Sequence, residues 1–125
     1  MNVLDMLLNI DSNKIKNPAK EMEITRLSEL TGQKVVFKLE GVDMAKYAQI
    51  AEQSKEVADI RLFTVLEGVR EPNLKSNELC EKYNAITPKE VLVKLLLPGE
   101  INTLYEGISE LSGFNKDAVV EVKNS

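Results

Sequence analysis

Histidine is absent from this chain and cysteine occurs once. The first absence removes any Cys–His nucleophile pair, because no imidazole is available to take a proton from Cys80. The second means that no disulfide can close within the chain, so a reducing, intracellular setting is expected. Cys80 lies in the charged, helix-prone stretch Asn77-Glu78-Leu79-Cys80-Glu81-Lys82-Tyr83 and reads as a small packing residue. Aromatic residues make up only 5% of the sequence and are scattered, which favours core or interface packing over a platform for stacked bases. Membrane-length hydrophobic runs are missing too. The N-terminal Met1-Asn2-Val3-Leu4-Asp5-Met6-Leu7-Leu8 has no basic leader, carries Asp5 inside its apolar run and is too short to span a bilayer. A soluble protein that is neither exported nor membrane-bound is expected.

An excess of positive charge is also lacking. The formal net charge is −4, whereas a nucleic-acid binder concentrates Lys and Arg on one face to displace phosphate counterions. Lys34 and Lys38 sit near Glu40, and Lys89 and Lys94 flank Glu90, a pattern of solvated faces. Leu97-Pro98-Gly99-Glu100 has one glycine and no Gly-Lys-Ser/Thr to follow, so it is not a phosphate loop. Asp11-Ser12-Asn13-Lys14 lacks the glycine and the distant glutamate of a calcium loop. Carboxylate pairs such as Glu21/Glu23 fall on an exposed strand face, where nothing separates their pKa values for acid–base work. No catalytic, cofactor-binding or metal-ligating residue is assigned, and no enzyme activity is expected.

What is present suits one compact domain: 125 residues, 43% of them hydrophobic, enough for a modest core. Val3–Ile10 reads as about one or two helical turns, with Val3, Leu7 and Ile10 on one face and Leu4 and Leu8 beside them. A polar connector, Asp11–Lys20, follows, which divides the chain into an N-terminal segment with linker (1–20) and one domain (21–125). Met22 and Ile24 alternate with Glu21, Glu23 and Thr25 as in a half-exposed strand, which either continues to Arg26 or gives way to a helical turn through Leu27-Ser28-Glu29-Leu30. Thr31-Gly32-Gln33 is a turn, and Lys34–Glu40 a second strand with Val35, Phe37 and Leu39 inward. Asp43 caps a helix whose buried side is Tyr47, Ile50, Ala51, Ser54, Val57 and Ala58. Ile60–Val69 is apolar nearly all round, so its period does not separate buried helix from strand; its length and the alignment of Leu62, Leu66 and Val69 favour helix.

The last third is the most heavily punctuated. A short helix is expected from about Ser76 to Tyr83. Thr87-Pro88-Lys89-Glu90 is a capping box with proline at the first helical position. Pro98-Gly99 breaks the leucine-rich run, and Ile101, Leu104, Tyr105, Ile108 and Leu111 then recur on one helical face. Gly113 supplies a left-handed stop, and Asn115 caps a last short helix. The fold class is therefore α+β: a β-hairpin packed against a mainly helical bundle of about four to six helices.

The order of these segments resembles the XkdN-like tail assembly chaperones of phages with contractile tails. The similarity runs through Glu21-Met22-Glu23-Ile24-Thr25-Arg26-Leu27-Ser28, Val36-Phe37-Lys38-Leu39 and the helix at Tyr47. It is densest at Leu66-Glu67-Gly68-Val69-Arg70-Glu71-Pro72-Asn73-Leu74, Thr87-Pro88-Lys89-Glu90 and Leu95-Leu96-Leu97-Pro98-Gly99-Glu100-Ile101, and closes at Glu110-Leu111-Ser112-Gly113-Phe114. The resemblance implies a phage or prophage protein without catalytic residues, working in the cytoplasm of the bacterial host. It implies as partners the long helical tape-measure protein of the tail and the tail tube subunits; further copies of the chain, as a homo-oligomer, are a separate candidate that neither the residues nor the resemblance decides. Neither a nucleic acid nor a membrane is implied. Candidate contact residues are Leu4, Leu7 and Leu8 on the N-terminal segment and Ile101, Leu104, Tyr105 and Ile108 on the C-terminal helix, each stripe competing with a role in the chain's own core. A structural virion subunit, for tail completion or connection, is the alternative function; a small helical nucleic-acid regulator is a third that the acidic balance disfavours.

Overall fold

The computed structural model describes residues 1–123, and its middle strand, β2 (Val36–Glu40), buries Phe37 and Leu39 while exposing Val36 and Lys38. This is the alternation that the sequence leads one to expect. β1 (Ala19–Glu23) pairs antiparallel with it, Met22 opposite Phe37 and Lys20 opposite Leu39. A third strand, β3 (Val69–Glu71), completes the sheet on the other side of β2, with an irregular register at Lys38/Leu39. Glu21, Lys38 and Glu71 stand across from one another, so charges alternate along that row and like charges are not neighbours.

Among the described residues seven α-helices accompany the sheet: α1 (Val3–Leu8), α2 (Thr25–Thr31), α3 (Met44–Gln53), α4 (Val57–Gly68), α5 (Asn77–Lys82), α6 (Pro88–Leu95) and α7 (Pro98–Leu111). The α+β class holds, and the connection between the first two strands is the helical one. Ile24 and Leu27 are both buried, so the chain turns its apolar residues inward at helical spacing and forms α2. α2 stops at Gly32, whose φ of 74° is left-handed and natural for glycine. The Ser28 hydroxyl accepts the Val35 N–H at 2.8 Å and leads the chain into β2.

Element boundaries differ from expectation in several places: β1 begins at Ala19, inside the expected connector, and β2 at Val36 and not at Lys34. Helix α3 ends at Ser54, so Val57 and Ala58 belong to α4, and Val57 is exposed rather than inward. The Ile60–Val69 run is helical only to Gly68; Val69 finds partners on β2 and becomes strand. Asn115 caps no helix: its side chain accepts the Asp117 N–H at 3.2 Å within a turn. Four residues without a packing face cannot offset the cost of helix nucleation.

The core lies between the sheet and the helices, where Phe37, Leu39, Val65, Leu66, Leu74, Leu92, Leu96, Leu104 and Ile108 cluster. Burying each such side chain contributes about 1.5–3 kcal/mol. Helix α7 crosses β1 and β2 at Gly107, where an added Cβ would meet Leu39, Met22 and the Lys20 stem at 3.1–3.3 Å. Its start is held by α2. Arg26 makes a two-pronged pair with Glu100 at 2.8 and 3.0 Å and donates to the Leu95 carbonyl at 2.8 Å.

Candidate functional site: an apolar arm and an apolar groove

Helix α1 is set by its own capping: Asn2 Oδ1 accepts the Asp5 N–H at 2.8 Å, and Asn9 closes the other end. Leu4, Leu7 and Leu8 are 63%, 60% and 73% exposed, and Val3, Met6 and Ile10 are exposed beside them. All of residues 1–19 are exposed. The connector makes a short turn of its own, with Asp11 Oδ1 accepting the Asn13 N–H at 3.0 Å. It joins the body where the Pro18 carbonyl accepts the Gly41 N–H at 2.9 Å. The N-terminal stripe is thus an apolar arm standing outside the core.

The C-terminal stripe has the opposite fate. Ile101, Leu104 and Ile108 are 9%, 1% and 0% exposed, packed against the sheet and α4, so they fill the domain rather than offer a surface. Tyr105 is half-buried and turns to a groove of 500 Å³ between α3, α4, α7 and the turn that follows α7. Val42, Tyr47, Ile50, Ile60 and Phe114 line the groove with it. Tyr47 and Phe114 lie with ring centroids 5.4 Å apart. Arg61 sits 5.3 Å from the Tyr105 ring centroid, within cation–π range. The spacing of Tyr47, Ile50 and Ala51 signalled one apolar face on α3, but only Ile50 on that helix is buried; the uncovered remainder is the groove wall.

The carboxylates with displaced pKa values serve the scaffold. The Arg26 guanidinium holds Glu100 below the usual carboxylate range, with the Leu97 N–H assisting. Burial pulls Glu67 upward, but its bonds to Lys75 and Lys46 outweigh this and leave it lowered. Asp59 is lowered by the Lys55 N–H first and Lys89 next. These groups are held ionised by structural partners, and none of the three lines the groove. Glu21 and Glu23 are exposed on the outer sheet face, and Cys80 is half-buried on α5. Among the described residues no group of three potential metal ligands is gathered, and no helix is long and apolar enough to cross a membrane.

The family model for the phage XkdN-like tail assembly chaperone protein matches residues 4–123. No curated protein matches the chain. Among solved structures, the crystal structure of the protein yqbn is similar, with a TM-score of 0.64 and 22% identity over 78% of this chain and 87% of that one. At that identity the likeness is one of fold alone. The family match extends from the second turn-forming residue of α1 to the last described residue, arm and domain together, and the chain belongs to the phage XkdN-like tail assembly chaperone family.

Proposed function

We propose that this chain is a non-enzymatic assembly chaperone that keeps the helical tape-measure protein soluble in the host cytoplasm until tail tube subunits enclose it. The observation that carries the reading is the arm: three leucines of α1 are more than half exposed on a connector that is itself exposed. A long helix with an apolar stripe self-associates when left bare in water. An amphipathic helix recognises such a stripe through anchors at spacings of three and four residues, which Leu4, Leu7 and Leu8 provide. Each contact is small and separates readily, yet many copies along one client hold it collectively and can be exchanged one at a time for tube subunits. Client specificity then lies in apolar spacing and not in a pocket.

Co-expression with the long helical protein encoded nearby tests this. The client should move from the insoluble to the soluble fraction when the chaperone is present. Leu8→Asp should remove that effect while leaving the chaperone's circular dichroism and melting unchanged. A client equally insoluble with and without the wild-type chain would refute the chaperone reading. Recovery of the chain as a stoichiometric part of purified mature particles would favour the tail-completion or connector reading instead.

A further inference from the structure

Two apolar surfaces remain uncovered in the folded chain, the α1 arm and the groove walled by Tyr47, Ile60, Tyr105 and Phe114. We propose that the groove receives α1 from a second copy of this chain, so that free copies cover one another's arms.

The arm has the geometry for reaching another copy. All of residues 1–19 are exposed, so no face of α1 is packed on its own domain. The connector holds its own turn, the Lys14 N–H donating to the Asp11 carbonyl at 2.8 Å, and spaces the helix from the body. A helix of six residues is marginal by itself in water and draws its stability from what it packs on.

The groove has matching dimensions and chemistry. Its 500 Å³ falls in the range of about 300–1,000 Å³ of pockets that enclose small, mainly apolar ligands, a size suited to a few side chains such as Leu4, Leu7 and Leu8. Charge agrees as well. The single charged residue within α1 is Asp5. Arg61 lies at the groove edge over Tyr105, donates to Asn102 at 3.1 Å, and among the described residues has no carboxylate in ion-pair range. On the α7 side, Glu106 already accepts from Asn102 at 3.1 Å and Glu110 from Lys20 at 3.3 Å. Asp5 of an incoming arm thus meets an uncommitted cation.

Unlike surfaces meet, so the contact is head to tail. One short helix in one groove buries less than the roughly 1,200 Å² of a stable complex, which makes the association weak and dependent on concentration. A client with a longer stripe draws the arm out of the groove. Self-docking itself involves no client and stands or falls separately from the tape-measure reading.

Sedimentation velocity on the purified full chain tests the proposal. The weight-average sedimentation coefficient should rise with protein concentration. Leu8→Asp, which spoils the arm, and Ala51→Arg, which fills the groove from an exposed position on α3, should each stay monomeric. Their equimolar mixture should form dimers, because the first variant keeps its groove and the second its arm. Asp5→Arg should weaken association, and Asp5→Arg with Arg61→Asp should restore it. A wild-type chain monomeric at every concentration, association surviving both single variants, or a mixture that stays monomeric would each overturn the proposal. So would a monomer whose α1 amides are protected from exchange in the wild type and unprotected in Ala51→Arg, because the arm would then be filling its own groove.

Discussion

Asp59 illustrates how single polar side chains of this domain hold its helices in place. It is the third residue of α4 and is buried. Its Oδ2 accepts the N–H groups of Lys55 and Glu56 at 3.1 and 3.2 Å, and its Oδ1 takes Lys89 Nζ from α6 at 3.1 Å. The carboxylate thereby satisfies N–H groups at the start of α4 that have no partner within the helix and ties α4 to α6. They also hold the Asp59 carboxyl below its ordinary range, the Lys55 N–H most of all, with burial acting in opposition. Glu67 and Glu100 are lowered as well. A carboxyl with a depressed folded-state pKa leaves the unfolded chain binding more protons in acid. Its contribution is complete above the unfolded-state pKa and is lost as pH falls through the folded one. With no histidine in the chain, none of this loss is expected near neutrality. Urea midpoints should therefore hold near neutral pH and drop through and below the carboxylate range. Asp59→Asn should lower the midpoint at neutral pH, with the gap from wild type narrowing on acidification. A gap that stays constant with pH would show that the charge on Asp59 contributes nothing.

Elements whose ends are marked by local chemistry were legible in the sequence. Asp43, Ser76 and Thr87 each cap the helix their positions imply, and Gly32 and Gly113 both take positive φ where a left-handed turn is needed. What was not legible depends on distant partners. β3 is three residues continuous with an apolar helix, and it becomes strand because β2 offers it an edge. The stripes of α1 and α7 look alike as patterns. Gly107 lets α7 lie on the sheet, whereas the Asn-, Lys- and Pro-containing connector leaves α1 outside; periodicity records neither fact. The groove was illegible for the same reason, since the spacing on α3 reads Tyr47 as buried and only the packing of α3, α4 and α7 leaves it exposed on the groove wall. The corner from β2 into α3 illustrates such a distant constraint. Gly41 is buried, and an added Cβ would run into the Leu111 carbonyl group, which is backbone and cannot rotate away. The corner would have to retreat and release the Val42 N–H from Ser112 Oγ, now 2.9 Å apart. Gly41→Ala should cost about 1–3 kcal/mol of unfolding free energy, as overpacking does. Gly99→Ala is the control, because nothing lies within 4 Å of its added Cβ. Equal denaturant midpoints for the two variants would refute this account of the corner.

At the scale of the whole molecule, the proposed function puts folding and client capture in different parts of the chain. The core cluster draws no residue from the segment before β1, and the tie between Pro18 and Gly41 marks where the arm begins. A chaperone benefits from this division, because the surface that grips and releases a client can then be uncovered without loosening the domain. Removing residues 1–17 keeps Pro18, β1 and every buried contact described here. The shortened chain should unfold cooperatively with its free energy within about 0.5 kcal/mol of the full chain, the usual scale for changes at exposed sites. It should also neither self-associate nor keep the tape-measure protein soluble. Broadened, non-cooperative unfolding of the shortened chain would place α1 within the folding unit. Full client solubilisation by a chain that lacks the arm would move the client site onto the domain, with the groove as the surface to test next.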